Sequence, residues 1–341
     1  MDETSGIWWR QITGARNFLQ KTADALADGK SAVICLSEAT PWLDDMREIL
    51  TDFLNKKFVG MRAIHELDAS TVDGDPAVVV FDRFCSGNVK ANFIPFGRNA
   101  HVKFLAKRDD IRLNKICLWI RGASNTQAAK WHAFIADYHK FGGKGIFLLE
   151  ANSTEFVGRA GVETFSFETE VSEYDCFAFN IFLAAQFGKG GQFIKRYLAE
   201  LAANATGFDV ESGARCIKRG SDFLQNPADV LTNKSPEEIN RAVWVTQLKL
   251  IFPMIGIFRR DFVKKYEPQI ERLLPYSLGG GKIVYTPDDA ELGELYSMLG
   301  GENWRLSSDD WERLKIYREA RNTLAHLGTL TLSQVETILL C

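Results

Sequence analysis

Short runs of consecutive apolar residues, separated by segments with helical spacing, constrain this chain more than any other feature of its sequence. The runs are residues 31–36, 77–81, 116–120 and 145–149. Each has the length of a buried strand, and none shows the apolar and polar alternation of a sheet with one face in water. Continuous apolar strands joined by helices are typical of a parallel sheet covered on both faces. The sequence therefore predicts an α/β domain, which we place at residues 1–171.

Helical segments flank these predicted strands. Apolar side chains recur at helical spacing over residues 8–26, and Thr40 followed by Pro41 matches the start of a second helix. Another helix is predicted at residues 125–140, before a pair of glycines. Residues 83–114 are mixed in character and punctuated by glycine and proline, so we expect an irregular hairpin insertion there.

The strand signal nearly disappears after residue 171. Residues 172–234 are predicted to form a small helical, lid-like module, and residues 235–341 a compact all-α domain of four or five helices. The tetrapeptide Ser-Pro-Glu-Glu at 235–238 combines an N-cap, a first-turn proline and a capping-box glutamate, so it marks the start of a long helix. Pro253 is expected to kink that helix. The predicted fold class is therefore α/β plus all-α.

The balance of charge limits the partners that the whole chain can attract. Forty-one lysines and arginines stand against 44 aspartates and glutamates, which leaves a formal net charge of −3. No bulk electrostatic attraction to nucleic acid or to anionic lipid is therefore available. Any contact with RNA must come from a local basic patch.

Cysteine usage and hydropathy favour a cytoplasmic protein. The cysteines are widely scattered, and Cys35, Cys117 and Cys176 lie inside apolar runs, as buried free thiols do. The first residues are acidic and lack the apolar segment of a signal peptide. The most apolar later run, residues 243–258, is interrupted by Lys249 and is too short to span a bilayer. We therefore predict a reducing, cytoplasmic location and no contact with a membrane.

An α/β domain binds phosphate in a loop that follows a strand and opens a helix. Residues 29–31, Gly-Lys-Ser, resemble the tail of a P-loop, but they precede a predicted strand instead of following one. The loop at residues 37–41, which does follow the strand, has no glycine and no lysine. The strand at 116–120 ends in Arg121, which cannot hold Mg²⁺ through water. Asp82 and Glu150 are the acidic residues that would end strands.

The order of these segments resembles P-loop ATPases of the AAA+ and STAND kind. The resemblance is one of layout: helix, strand, phosphate-loop position, helix, later core strands and then a helical module in the place of a lid. It covers about 230 residues. It implies a degenerate P-loop-like domain without ATP hydrolysis, in which nucleotide binding has no P-loop to support it. An active ATPase using Glu150 or Asp82 is the weaker alternative.

Metal-dependent catalysis is not predicted. His132 and His139 are seven residues apart on one predicted helix, whereas a zinc pair uses closer spacing, so a solvated helix face is favoured. No G-x-S-x-G or H-E-x-x-H motif occurs. The cluster Trp8, Trp9 and Arg10 either contacts a ligand or docks the first helix, and we favour docking.

One late helix carries a distinctive polar motif, Arg-Asn-Thr-Leu-Ala-His at residues 321–326. Five residues at about 100° each place Arg321 and His326 on different faces. Arg318, Asn322 and His326 instead follow one stripe at i, i+4 and i+8. This arrangement suits a composite site in which two copies of the helix face each other and share a phosphate.

The motif resembles the R-x4-6-H signature of HEPN domains, which are all-α bundles with the motif on a late helix. The resemblance covers about residues 235–341. It implies metal-independent RNA cleavage, in which the RNA 2′-hydroxyl attacks the adjacent phosphorus. His326 would transfer the proton, Arg321 would clamp the phosphate and Asn322 would orient the group by a hydrogen bond. It also implies a homodimer through the bundle and a role, with partner proteins, in antiviral or stress defence. No cofactor is needed for such cleavage.

Three alternatives remain open at this point. The bundle is a catalytic ribonuclease, or it is a non-catalytic dimerisation or regulatory module, or the motif match is fortuitous. A basic cluster in the same domain can supply an RNA-backbone patch, although a solvated helix face is the simpler interpretation. Its members are Arg259, Arg260, Lys264 and Lys265, with Arg318 from the motif helix.

Overall fold

The computed structural model describes residues 2–37, 40–58, 62–152, 156–277, 282–300 and 306–340. The chain divides into two compact units, Met1–Phe179 and Asn180–Cys341. Each unit has its own hydrophobic core. Glu38 and Ala39, in the predicted phosphate-loop position, lie outside the described residues.

A five-stranded sheet forms the centre of the first unit. Its strands are β1 (Ser31–Cys35), β2 (Ala63–Asp68), β3 (Ile116–Arg121), β4 (Ile146–Ala151) and β5 (Val162–Ser166). Their order across the sheet is β2-β3-β4-β1-β5, and every neighbouring pair is parallel. The buried central strands β1, β3 and β4 are the apolar runs of the sequence. The predicted parallel α/β sheet is therefore confirmed.

Helices cover both faces of this sheet. They are α1 (Glu3–Gln11), α2 (Thr13–Ala27), α3 (Leu43–Lys57), α4 (Pro76–Phe84), α5 (Gly87–Ala91), α6 (Ala100–Ala106), α7 (Asn125–Lys140), α8 (Phe167–Glu170) and α9 (Glu173–Phe187). Leu149 belongs to the core formed with α4, α6 and α7, whereas the next residue, Glu150, bonds to Arg47 of α3. Successive strand residues point to opposite faces, so α3 lies across the sheet from α7.

The sequence prediction was wrong in the connection between β2 and β3. Residues 77–81 form helix α4 and not a strand, because the Asp75 side chain accepts a hydrogen bond from the Ala77 amide (2.7 Å) and Pro76 opens the helix. The expected hairpin at residues 83–114 is instead α5, α6 and a 3-10 turn at Arg112–Lys115. The connection therefore consists of short helices joined by loops, with no strand among its described residues.

Helix boundaries near the amino terminus also differ from the prediction. The predicted single helix over residues 8–26 is interrupted at Ile12, whose extended backbone separates α1 from α2. α3 begins at Leu43 instead of Pro41, because Trp42 adopts the left-handed region with φ 42°. The exposed edges of the sheet, β2 and β5, were not predicted at all.

Trp8 and Trp9 are fully buried. Their rings pack edge-on against Phe179 (5.2 Å between centroids) and tilted against Phe167 (5.5 Å). Arg10 pairs with Asp52 of α3 at 2.7 Å. These contacts dock α1 within the first unit, as the sequence favoured.

In its described residues, the regular structure of the second unit is helical apart from one pair of two-residue strands. Its elements are α10 (Gln192–Thr206), α11 (Val210–Arg219), α12 (Ser221–Gln225), α13 (Pro227–Val230), α14 (Pro236–Glu271), β6 (Tyr276–Ser277), β7 (Ile283–Val284), α15 (Leu292–Leu299), α16 (Ser308–Ala325) and α17 (Leu332–Leu340). The long helix α14 packs against α10, α15, α16 and α17. The predicted capping box is present, since the Glu238 amide donates to Ser235 Oγ (3.2 Å) and the Ser235 amide donates to Glu238 Oε2 (2.8 Å).

The kink in α14 does not lie at Pro253. Backbone angles leave the helical region at Tyr266 (φ −113°, ψ 16°), two residues before Pro268. Proline lacks the amide hydrogen for the i−4 carbonyl and crowds it, so Pro268 accounts for the break. By length and composition α14 is the one described helix that could cross a bilayer, with 33% of its most apolar window buried. A core helix of this length passes the same test.

The described cysteines fit the predicted buried thiols. Cys35, Cys85, Cys117, Cys176 and Cys216 are all free and buried. Burial raises the pKa of the Cys117, Cys176 and Cys216 thiols to about 12. Protonated, enclosed thiols are poor nucleophiles, so these side chains serve packing.

Candidate functional site

Helix α16 begins at a tightly bonded aspartate. Asp310 Oδ2 accepts hydrogen bonds from Ser307 Oγ (2.6 Å), Tyr266 Oη (2.6 Å) and Lys265 Nζ (2.5 Å). Burial by itself would raise the pKa of Asp310, but these donors outweigh it and hold the pKa at about 2. The start of α16 is therefore fixed against α14 by a charged side chain.

The other end of α16 carries the predicted proton-transfer residue. His326 caps the helix, and its amide donates to the carbonyl oxygen of Asn322 at 3.1 Å. Leu327 follows in the left-handed region (φ 64°), and the Gly328 amide bonds back to Thr323 O at 2.9 Å. The His326 side chain is exposed. The imidazole therefore stands in water at the last turn, where a ligand can reach it.

The structure brings Arg321 and Asn322 together. Arg321 Nη1 donates to Asn322 Oδ1 at 3.3 Å, and both side chains are half-buried. Among the described residues no hydrogen bond joins Arg321 to His326. His326 is the C-cap, whose own backbone angles (φ −101°, ψ 26°) are no longer helical, although its amide still bonds to Asn322 O. One copy of the helix thus presents a guanidinium–amide pair and a separate imidazole.

Arg318 is engaged by aromatic rings. Its guanidinium lies over the Tyr296 ring at 4.3 Å from the centroid, and Tyr296 stacks on Trp311 at 4.6 Å. Such a stack holds a guanidinium in one orientation while its edges stay able to donate hydrogen bonds. Arg318 is therefore a positioned cation close to the motif.

The predicted basic cluster divides in the structure. Arg259 Nε donates to the carbonyl oxygen of Ala290 (2.8 Å), which ties α14 to the turn before α15. Arg260 pairs with the neighbouring Asp261 at 3.2 Å, and Lys265 is bonded to Asp310. Lys264 is exposed and has no ion pair among the residues that the structure describes. Three of the four cations are thus already partnered.

A cleft of about 390 Å³ lies between α14 and α16 and was not predicted. The Arg313 guanidinium lies 5.3 Å from the Phe258 ring, which stacks on Tyr317 at 4.3 Å. Lys265 and Asp310 line the same cleft. In the sequence, this cleft was indicated only by the arginines of α16, where Arg313 precedes Arg318 by five residues.

The start of α3 is the position at which a P-loop-like domain would hold phosphate. Asp44 and Asp45 occupy its first turn. Asp45 accepts hydrogen bonds from Ser5 Oγ and from the Asp2 amide, and the Trp42 ring packs on Phe179 at 5.9 Å. The positive end of the helix dipole is therefore already matched by carboxylates of the chain, which repel a phosphate.

The two acids considered for an ATPase have structural roles. Glu150 is buried and accepts two hydrogen bonds from Arg47 (3.0 and 2.6 Å) and one from Trp119 Nε1 (3.0 Å). The bond to Glu150 raises the pKa of Arg47, so the guanidinium stays charged. Asp82 lies on helix α4 and not at the end of a strand, and it holds Lys90. The expected strand-end carboxylate at Asp82 was wrong.

His132 and His139 do not share a site, and the expected solvated helix face was wrong, because His132 is buried and His139 is half-buried. His132 packs edge-on against Phe156 at 5.3 Å, whereas His139 Nε2 is 2.7 Å from Ser31 Oγ. Burial lowers the pKa of both imidazoles. No group of three or more potential metal ligands occurs in the part of the chain that the structure describes.

Comparison with known proteins adds little to this geometry. No protein-family model matches the chain, and no curated protein matches it. Among solved structures, the chain is similar to the Aeropyrum pernix ORC2 protein in its ADPNP–ADP complexes. The sequence identity is 12%, the TM-score is 0.31, and 93% of this chain and 86% of that chain are covered. A TM-score this low assigns neither a fold nor a ligand to this chain.

Proposed function

We propose that the second unit is a metal-independent endoribonuclease of the HEPN type that works as a homodimer in the cytoplasm. The observation that carries the proposal is the exposed His326 imidazole at the last turn of α16, four residues after Asn322 of the bonded Arg321–Asn322 pair. Imidazole titrates near neutral pH, so it can take and return a proton during catalysis.

The reaction divides among these side chains as follows. The RNA 2′-hydroxyl attacks the adjacent phosphorus, its proton passes to a neutral imidazole, and the 5′-oxygen of the next nucleotide leaves with a proton from an imidazolium. The products are a 2′,3′-cyclic phosphate and a free 5′-hydroxyl. Arg321 offsets the charge on the phosphate oxygens, and Asn322 holds the guanidinium in place. Two copies of His326, one neutral and one protonated, supply both proton transfers.

The first unit is proposed to be a degenerate P-loop-like domain that regulates the nuclease, in antiviral or stress defence, without ATP hydrolysis. The carboxylates at the start of α3 support this part of the proposal, because they disfavour phosphate at that position.

The test compares purified wild-type protein with His326→Ala on labelled single-stranded and structured RNA in the presence of EDTA. We expect the variant to lose cleavage by at least about a hundredfold, since general acid–base groups contribute that much or more. Thr329→Ala, an exposed change three residues away, is the matched control and should cut normally. Growth arrest on expression should disappear with His326→Ala as well. Equal cleavage by wild type and His326→Ala would contradict the proposal.

A second candidate function is a non-catalytic dimerisation or regulatory module. The partnered cations of the bundle favour it, because Arg259 is bonded to a carbonyl oxygen and Lys265 to Asp310. This candidate predicts intact RNA with both proteins and a dimer that His326→Ala does not alter.

A further inference from the structure

A basic segment in the first unit stands apart from the charge of the whole chain. Between Arg83 and Arg108 the sequence holds six lysines and arginines and no aspartate or glutamate, although the net charge of the protein is −3. The segment covers the end of α4, all of α5 and α6, and the connections between them. A local patch of this kind is what an anionic polymer needs in a protein with no bulk positive charge.

Most of this charge is not neutralised by the protein. Lys90 pairs with Asp82 (3.3 Å) and Arg108 with Asp110 (2.6 Å). The other four cations, Arg83, Arg98, Lys103 and Lys107, are exposed and form no ion pair within the described residues. They therefore remain available to phosphate groups.

Two large apolar side chains project from the middle of the segment, between α5 and α6. Ile94 is 79% exposed and Phe96 is 88% exposed. The Phe96 amide donates to the carbonyl oxygen of Ile94 at 2.8 Å, which turns the chain tightly around Pro95. We call residues 94–98 the tip segment. Both faces of the Phe96 ring are thus open to solvent at the apex of a turn.

The tip segment is held firmly at both ends. Before it, Phe93 packs against Phe81 (4.8 Å between centroids) and His101 (4.3 Å). After it, Asn99 Nδ2 donates to Asp137 Oδ2 of α7 at 3.1 Å. Because both ends of the tip segment are fixed, it loses less conformational entropy when a ligand binds. An exposed phenylalanine on a fixed support is suited to stacking.

We infer that this surface binds single-stranded nucleic acid, with a base stacked on Phe96 and the backbone phosphates on Arg98, Lys103 and the neighbouring cations. Arg98 lies two residues from Phe96, so their Cα atoms are at most about 7 Å apart, close to the spacing of successive nucleotides. Stacking accepts any base, because each base has a π-face, and the cations follow the backbone. A duplex keeps its bases stacked and offers the ring no free face without unstacking.

The chemistry around the tip segment favours a nucleic acid over an anionic membrane. The exposed apolar side chains of the tip segment are three adjacent ones, Ile94, Pro95 and Phe96, a small area for interfacial binding, which scales with the apolar area that is buried. Exposed asparagines precede and follow the tip segment in sequence, at Asn88, Asn92 and Asn99. Amides bond well to phosphates and base edges, and they are costly to place among acyl chains.

The experiment measures fluorescence anisotropy of the full chain with labelled oligo-uridine and oligo-deoxythymidine of about 20 nucleotides, a length within the range of such sites. The deoxy strand lacks a 2′-hydroxyl, so cleavage does not disturb its measurement. We expect both single strands to bind and a blunt duplex to bind more weakly. Phe96→Ala should raise Kd about tenfold for both single strands, in line with one lost stacking contact.

Matched controls separate this surface from general effects. Tyr174→Ala removes another highly exposed ring of the first unit and should leave Kd unchanged. Arg98→Glu combined with Lys103→Glu should weaken binding and flatten its dependence on salt, whereas Lys189→Glu should do neither. Wild-type affinity in Phe96→Ala would overturn the inference. Binding to anionic vesicles, lost in Phe96→Ala, without binding to either oligonucleotide would show a membrane surface instead.

The inference does not depend on the proposed nuclease. The deoxy strand has no 2′-hydroxyl to attack the phosphorus, so its affinities for wild type and Phe96→Ala can be compared whether or not the protein cuts RNA. Loss of cleavage alone therefore leaves the tip segment as a binding surface, and loss of binding in Phe96→Ala leaves the chemistry of His326 untouched.

Discussion

The start of α3 lies at the position of a phosphate loop and the end of α16 carries the predicted proton-transfer residue, and these two helix ends differ in what the chain itself places there. At α3, Asp45 is bonded to Ser5, and Trp42 packs on Phe179. At α16, the His326 side chain is exposed. A helix end binds a ligand only where its polar groups are left without partners in the chain. The carboxylate of Asp45 at the start of α3 thus serves folding, whereas the His326 imidazole at the end of α16 remains exposed to solvent.

The largest effect on stability is expected near the start of α3, at Arg47. Arg47→Ala leaves the buried Glu150 carboxylate without its bidentate partner, so we expect unfolding of the first unit to become easier by about 3 kcal/mol. Urea unfolding followed by tryptophan fluorescence measures this change, since Trp119 contacts the same carboxylate. Asp44→Ala is the control, because Asp44 bonds to the same arginine but is exposed. A loss from Asp44→Ala as large as that from Arg47→Ala would contradict a role for burial.

The two ends of α16 can be separated by pH. The pKa of Asp310 is lowered from 3.8 to about 2 in the folded protein, so its contribution is complete above about pH 4 and is lost as the pH falls toward 2. We expect this loss to be about 1–2 kcal/mol. Thermal unfolding between pH 2 and 5 should therefore be less steeply pH-dependent in Asp310→Asn than in wild type. Identical pH profiles would mean that the start of α16 is not held by this carboxylate.

The centre of the first unit could be predicted from sequence because β1, β3 and β4 are buried on both faces. Such strands are continuous apolar runs, and this pattern can be recognised without knowing which strands lie beside them. The edge strands β2 and β5 were missed because their exposed positions hold polar residues, as in Ala-Ile-His-Glu-Leu-Asp. Residues 77–81 show the opposite error, since five apolar residues in a row resembled a strand while Asp75 and Pro76 already marked a helix start.

Local signals also predicted much of α16, but not its surroundings. The position of His326 after the last turn follows from Gly328 two residues later. The stacking of Arg318 on Tyr296 and the bond from Lys265 to Asp310 join helices that are distant in sequence. Such contacts depend on how the helices pack against one another, and the spacing of residues along a single helix does not specify that packing. For the same reason, the exposure of Phe96 could not be distinguished in the sequence from the burial of Phe93.

The smallest expected effect concerns the residue that follows His326. Leu327 has φ 64° and is 74% exposed. A left-handed backbone is unfavourable for a residue with a side chain, and an exposed leucine makes little packing contact to offset this. Leu327→Gly removes the side chain that makes this conformation costly, although glycine also gives the unfolded chain more freedom. We expect a net stabilisation of about 0.5 kcal/mol, measured as a rise in the urea midpoint of the second unit.

Leu327→Ala is the matched control, because it removes the same exposed side chain and keeps the Cβ atom. It should leave stability near that of wild type, since the left-handed region is costly for both residues. Destabilisation by Leu327→Gly would mean that the leucine side chain contributes contacts of its own at the end of α16. In that event Leu327 partly covers the end of α16. This end then differs less from the start of α3 than the exposure of His326 indicates.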